Sequence, residues 1–113
     1  MNMIGNFFGD FHPYLSQLYE IFAMYHRDNG EFEDSITFSK SSLVNMLQIC
    51  GASHPLVGES YYELAICYMK AGRTDKAIIN LEKAKSILES EDKTEEIPYA
   101  LVMIKLGALF LSE

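Results

Sequence analysis

Apolar side chains recur along most of this chain at the three- and four-residue intervals of an α-helix, not with the alternation of a strand. From Pro55 to Ala71, the residues Leu56, Tyr61, Leu64, Ala65 and Tyr68 fall at helical spacing. Beyond Thr74, Ala77, Ile78, Leu81, Ala84, Ile87 and Leu88 do the same. Gly72 stands between the two runs, where a left-handed glycine closes a helix at little conformational cost. Pro55 suits the first helical turn, whose N–H goes unpaired in any case, and Ser53 or His54 is placed to cap it. Thr74 reads as the cap of the following helix. The pattern therefore predicts a helical hairpin. An earlier pair matches it: a helix over Pro13–Asp28, a stop at Asn29-Gly30, and a helix over Phe32–Cys50 closed by Gly51. After a loop at Ser90–Glu95, a fifth helix is predicted over Ile97–Leu111.

The hairpin is repeated. Gly9-Asp10-Phe11-His12-Pro13 returns as Gly51-Ala52-Ser53-His54-Pro55, 42 residues further on. The same shift sets Tyr19 on Tyr61, Phe22 on Leu64, Ala23 on Ala65 and Gly30 on Gly72. A third copy begins at Pro98 and sets Met103 on Tyr61, Leu106 on Leu64, Gly107 on Ala65 and Phe110 on Tyr68. The chain thus divides into residues 1–11, whose Met3, Ile4, Phe7 and Phe8 read as the tail of a preceding helix, then repeats over 12–53 and 54–96, and half a repeat over 97–113. The small residues Ala23, Ala65 and Gly107 recur where paired helices must approach closely.

The run Tyr61-x-x-Leu64-Ala65-x-x-Tyr68-x-x-x-Gly72-x-x-x-x-Ala77-x-x-x-Leu81-x-x-Ala84 resembles the signature of tetratricopeptide repeats. The first repeat departs from it, with Ser35, Ser39 and Ser42 where alanine, a large apolar residue and alanine belong. The period is longer than the ~34 residues usual in that family. With the Gly-x-x-His-Pro junction, it is similar to the kinesin-light-chain subtype, and to the helical tail of SET-and-MYND lysine methyltransferases. The resemblance implies an all-α fold, a right-handed superhelix of antiparallel hairpins with about five helices. It also implies a non-catalytic scaffold that holds a peptide or partner helix in a concave groove lined by the first helix of each repeat. Carried over by position, that groove shows Gln17, Glu20, Met24 and Arg27, then Glu59, Tyr62, Glu63, Ile66, Met69 and Lys70, then Leu101, Ile104 and Lys105. Members that clamp a chaperone's C-terminal carboxylate use basic and amide side chains where this chain has Glu20, Met24, Glu63, Leu101 and Lys105. Only Lys105 agrees, so a basic or apolar helical segment is the expected ligand. The alternative implied by the resemblance is a non-catalytic tail of a larger enzyme.

Composition narrows the field. A formal net charge of −7 disfavours a nucleic-acid footprint, which needs a clustered basic face, and disfavours anionic lipid surfaces. No purely apolar stretch, Leu101–Ile104 included, approaches the length of a membrane span. Cys50 and Cys67 lack paired spacing, and the first residues lack a signal-peptide pattern. Both point to a reduced compartment, cytoplasmic or nuclear. No cofactor is implied: there is no phosphate-cradling glycine loop and no close set of metal ligands. His12 and His54 each precede proline and read as caps, and His26 stands isolated on a helix flank. Ser35, Ser39, Ser41 and Ser42 read as small residues for close packing, so no enzyme is expected. The last helix is apolar almost all round, which calls for burial on every side. Self-association through Leu101, Met103, Ile104, Leu109 and Phe110, giving a homodimer, is the expected consequence.

Overall fold

The computed structural model describes residues 13–112. Five helices follow one another: α1 (Pro13–Asp28), α2 (Phe32–Cys50), α3 (Pro55–Lys70), α4 (Thr74–Ser90) and α5 (Ile97–Ser112). Each packs on its neighbours in the chain, and the first helices α1 and α3 also touch directly. The described residues hold no strand. His12, and the reading of residues 1–11 as a preceding helix, lie outside the described residues.

Three of the four helix ends that lead into a turn use one device. The N–H of Arg73 donates to the Tyr68 carbonyl at 2.9 Å, and that of Gly72 to Met69 at 3.1 Å. Glu31 and Gly30 repeat the pair on His26 and Arg27, and Lys93 and Asp92 repeat it on Leu88 and Glu89. This is the Schellman closure, which needs a left-handed residue in its middle. Gly30 and Gly72 supply it at φ of +80° and +79°, but after α4 the place is taken by Asp92 at φ +60°.

In both hairpins the turn is as short as the closure allows. Glu31 and Arg73 each close one helix through the N–H, while their carbonyls accept from Ser35 and Ala77 to start the next. Thr74 is therefore the first residue of α4 and not its cap. Arg73 holds the cap position and its side chain caps nothing. That side chain instead reaches across the repeat and pairs with the Glu33 carboxylate of α2. At the start of α3 the cap is as expected: the Leu56 N–H donates to Nδ1 of His54 at 3.1 Å.

Two apolar clusters run through the stack. The first joins Ala23, Ile36, Leu43 and Met46 of the first hairpin to Val57, Leu64, Tyr68 and Ala77 of the second. The second joins Ala65, Leu81, Ala84 and Leu88 to Val102 and Leu106 of α5. Val57, Leu81, Leu88 and Val102 are wholly enclosed, and each such side chain stabilises the fold by about 1.5–3 kcal/mol. The Tyr99 hydroxyl adds a polar tie, donating to Glu89 of α4 at 2.7 Å. Ala23 and Ala65 sit under close helix contacts as expected, but Gly107 does not: a Cβ built there meets nothing within 4 Å. No helix of the second hairpin's kind covers that side of α5 among the described residues.

Ser35, Ser39 and Ser42 are buried between the helices, as small-residue packing requires. Ser42 also belongs to a polar seam between α1 and α2. The Ser16 hydroxyl donates to the Ser42 carbonyl at 3.2 Å, the single Ser42 hydroxyl proton is shared between the Ser16 carbonyl and the Glu20 carboxylate, each at 3.2 Å, and Nδ2 of Asn45 donates to Ser16 Oγ at 2.6 Å. Every buried side-chain polar atom among the described residues has a partner, so the seam leaves no group unpaired to lower stability.

Asp92 gives a direct test of the closure. Replacing it with glycine relieves the left-handed penalty, and Asp92→Gly is expected to raise unfolding free energy by about 0.5–1 kcal/mol. The reverse change at the equivalent place, Gly72→Asp, is expected to lower it by a similar amount. Urea denaturation followed by circular dichroism measures both.

Candidate partner-binding groove

Because α1 and α3 lie against each other, the side chains on their shared open side form one surface. Between their N-terminal halves is a crevice of about 170 Å³, lined by Ser16, Gln17 and Glu20 of α1, Met46 of α2, and Leu56, Glu59 and Ser60 of α3. One turn further along, Nη1 of Arg27 stands 3.7 Å from the Glu63 carboxylate and 3.9 Å from the Cys67 sulfur.

The surface is acidic, and its carboxylates feel one another. Burial raises the Glu20 pKa, the hydrogen bond from Ser42 at 3.2 Å opposes that, and the charges of Glu63 and Glu59 raise it further. Burial also raises Glu59, followed by repulsion from Glu96 and Glu63. The Tyr62 hydroxyl is raised by burial and by Glu63, with Arg27 pulling the other way. Carboxylates from α1, from α3 and from the segment entering α5 thus converge on one face, with Arg27 set among them. Such a face favours a cationic or hydrogen-bond-donating ligand and disfavours an anionic one.

The residues expected in the groove divide accordingly. Gln17, Glu20 and Glu59 line the crevice, and Arg27, Tyr62 and Glu63 lie beside it. Met24 is 48% exposed on α1, open to a ligand. Ile66 is half-buried, and Met69 is half-buried against the first core cluster, so much of its surface is already spent on packing. Lys70 is exposed and Lys105 half-buried, while Leu101 and Ile104 stand open on α5. Of the residues expected to self-associate, Leu101, Met103, Ile104 and Phe110 are exposed. Leu109 turns inward, packing against both core clusters on the face it shares with Val102 and Leu106.

Sequence reasoning missed Ser16, Met46, Leu56, Ser60 and Glu96. Leu56 and Ser60 carry a signal in hindsight, lying one helical turn before Glu59 and Glu63 respectively. Glu96 has none, because only the packing of α5 on α4 brings it near Glu59. Also unforeseen is a wider cavity of about 480 Å³ on the outer side of α1 and α2, lined by Leu15, Tyr19, Lys40 and Val44 among others.

His26 is not isolated. Its ring lies flat on Phe38, with centroids 5.2 Å apart and planes at 6°, and its Nδ1 is 2.8 Å from Glu31. With Asp34 these side chains bring three ligand atoms within 4.8 Å of one another. The pairing with Glu31 and the stacking on Phe38 fix the α1–α2 turn. Cys50 and Cys67 are unpaired thiols. No helix among the described residues is long and apolar enough to cross a membrane.

A family model described as "Tetratricopeptide repeat" matches residues 14–90. Comparison with curated proteins gives no match.

The raised carboxylates predict a pH effect on stability. A folded-state pKa above the unfolded one means that the ionised form is penalised in the fold. That penalty is present in full above the raised value and disappears as pH falls through it toward the ordinary carboxylate range. The double variant Glu20→Gln/Glu59→Gln is therefore expected to melt higher than the parent at neutral pH. The gap should close on mild acidification. Thermal melts across the mildly acid to neutral range check both the sign and the closure.

Proposed function

Because the chain belongs to the tetratricopeptide repeat family, we propose that it is a non-catalytic scaffold holding a basic, partly apolar helical segment of a partner protein in the groove of α1, α3 and α5. The observation that carries this reading is that Glu20 and Glu59 line one crevice between α1 and α3, with the charge of Glu63 acting on both and on Tyr62 beside them. The carboxylates steer and orient a cationic segment. Tyr62, half-buried with its hydroxyl near Arg27 and Glu63, offers a rigid amphipathic anchor, and Met24 an adaptable apolar contact. The two unpaired thiols fit a reducing, cytoplasmic or nuclear setting. Self-association through α5 is a separate proposal, supported by the apolar side chains that this helix leaves exposed.

Binding of two labelled amphipathic helical peptides, one rich in Lys and Leu and one rich in Glu and Leu, tests the groove. The basic peptide is expected to bind and to weaken with salt, the acidic one to bind far more weakly. Glu59→Gln and Glu63→Gln should each weaken the basic peptide about two- to fivefold, the scale of an exposed ion pair. Tyr62→Ala should weaken it about tenfold, the scale of an interface anchor. Equal binding of both peptides, or no loss in Tyr62→Ala together with Met24→Ala, would refute the reading.

A further inference from the structure

In each repeat one stripe of the first helix is reserved for a second helix. On α3 the stripe is Gly58, Tyr61, Ala65 and Tyr68, and α4 covers it. Gly58 and Ala65 are buried, and a Cβ on Gly58 would meet the Leu88 side chain of α4 at 3.3 Å. On α1, 42 residues earlier, the same positions are Ser16, Tyr19, Ala23 and His26, and α2 covers Ser16 and Ala23. On α5 they are Ala100, Met103, Gly107 and Phe110. There nothing covers the stripe among the described residues: Ala100 and Gly107 are exposed, Met103 is 40% and Phe110 53% accessible, and the space beside Gly107 is open.

We propose that the second helix on α5 is α5 of another copy of this chain, packed antiparallel about a two-fold axis at position 105. The stripe alternates small, large, small, large along the helix. Its members lie symmetrically about that position, so an antiparallel copy sets Ala100 against the second copy's Phe110 and Met103 against the second copy's Gly107. Each large side chain then enters the space left by a small one, as Leu88 does at Gly58. The sole charged residue of α5, Lys105, lies on the far side of the helix from Gly107, since each residue turns 100°. No charge is buried by the pairing.

The open surface on the stripe's side of α5 is just large enough. Met103, Ile104, Phe110 and Leu111 are between 40% and 89% exposed, and Ala100 and Gly107 are exposed between them, which at about 150–200 Å² for a large apolar side chain leaves on the order of 500 Å². A specific dimer needs about 500 Å² from each partner. The proposal rests on the reading of α5 as a self-association face and does not involve the carboxylates of α1 and α3.

Light scattering on the eluting full chain, from micromolar to millimolar, tests it. The expected mass is twice that of the protomer. Gly107→Glu is expected to return the mass to one protomer while the far-UV spectrum and basic-peptide binding stay unchanged, because its side chain meets open space within the protomer and glutamate is a better helix former than glycine. Met103→Lys is expected to do the same. Mixed in equal amounts, the two variants should recover a dimer, because at the proposed register each new carboxylate faces a new ammonium. A protomer mass for the unmodified chain at millimolar concentration overturns self-association altogether. Dimers that persist in both variants, or a folded mixture that stays monomeric, overturn the two-fold pairing of α5 while leaving the groove reading standing.

Discussion

Leu88 of α4 lies against Gly58 of α3 so closely that a Cβ on the glycine would stand 3.3 Å from it. Ala65, two turns further along α3, is equally enclosed. This small-to-large fit between antiparallel helices is what the rest of the molecule depends on, because it sets how near the two helices lie. The neighbouring large residues, Leu64 and Tyr68 of α3, Leu81 of α4 and Val102 of α5, then fill the two core clusters. Close packing makes such a site intolerant of added volume. The turn reinforces it: a single residue, Arg73, ends α3 and begins α4, so the helices have no slack with which to drift apart.

From that constraint the groove follows. With each second helix held behind its first, α1 and α3 are left side by side at the front, and the residues not consumed in packing face outward together. The repeat family's pattern, laid on this chain by position, implies Gln17, Glu20, Glu59, Tyr62 and Glu63 as groove positions, and each of them keeps exposed surface on α1 or α3. Helix boundaries were legible more directly. Gly30, Gly51 and Gly72 all have positive φ, conformations that other residues adopt only at a cost, so glycine marks the stops of α1, α2 and α3, while Asp92 takes that place after α4. Thr74 was misread because cap propensity is a local rule, whereas here the shared closure residue fixes the start of α4 one position earlier.

What the chain did not disclose depends on three-dimensional proximity without periodicity. Glu96 stands in an irregular segment, and its nearness to Glu59 arises only when α5 docks on α4 through Val102, Leu106 and Tyr99. Leu109 illustrates a different limit. In a helix apolar on every side, the pattern cannot say which residues face the core. Position does: Leu109 lies along the line of Val102 and Leu106 and packs inward, while Phe110 lies outside it. His26 looked solitary for the same reason, since Phe38 and Glu31 reach it from α2 and the turn.

The serines of the first repeat connect the two halves of this picture. Set against the family pattern they look like a weakening, because Ser42 takes a place where alanine packs in the second repeat. Alanine has no donor, however, and the Ser42 hydroxyl lies 3.2 Å from both the Ser16 carbonyl and the Glu20 carboxylate. Burial alone would push Glu20 toward its neutral form, as would the neighbouring Glu59 and Glu63, and the bond from Ser42 is the one influence that holds it toward the ionised form. A carboxylate so placed keeps charge at the front of the groove by drawing on a donor behind it. An alanine at 42 would pack the first hairpin in the manner of the second, and would at the same time withdraw that support. The departure from the repeat pattern is thus where hairpin packing and groove charge are joined.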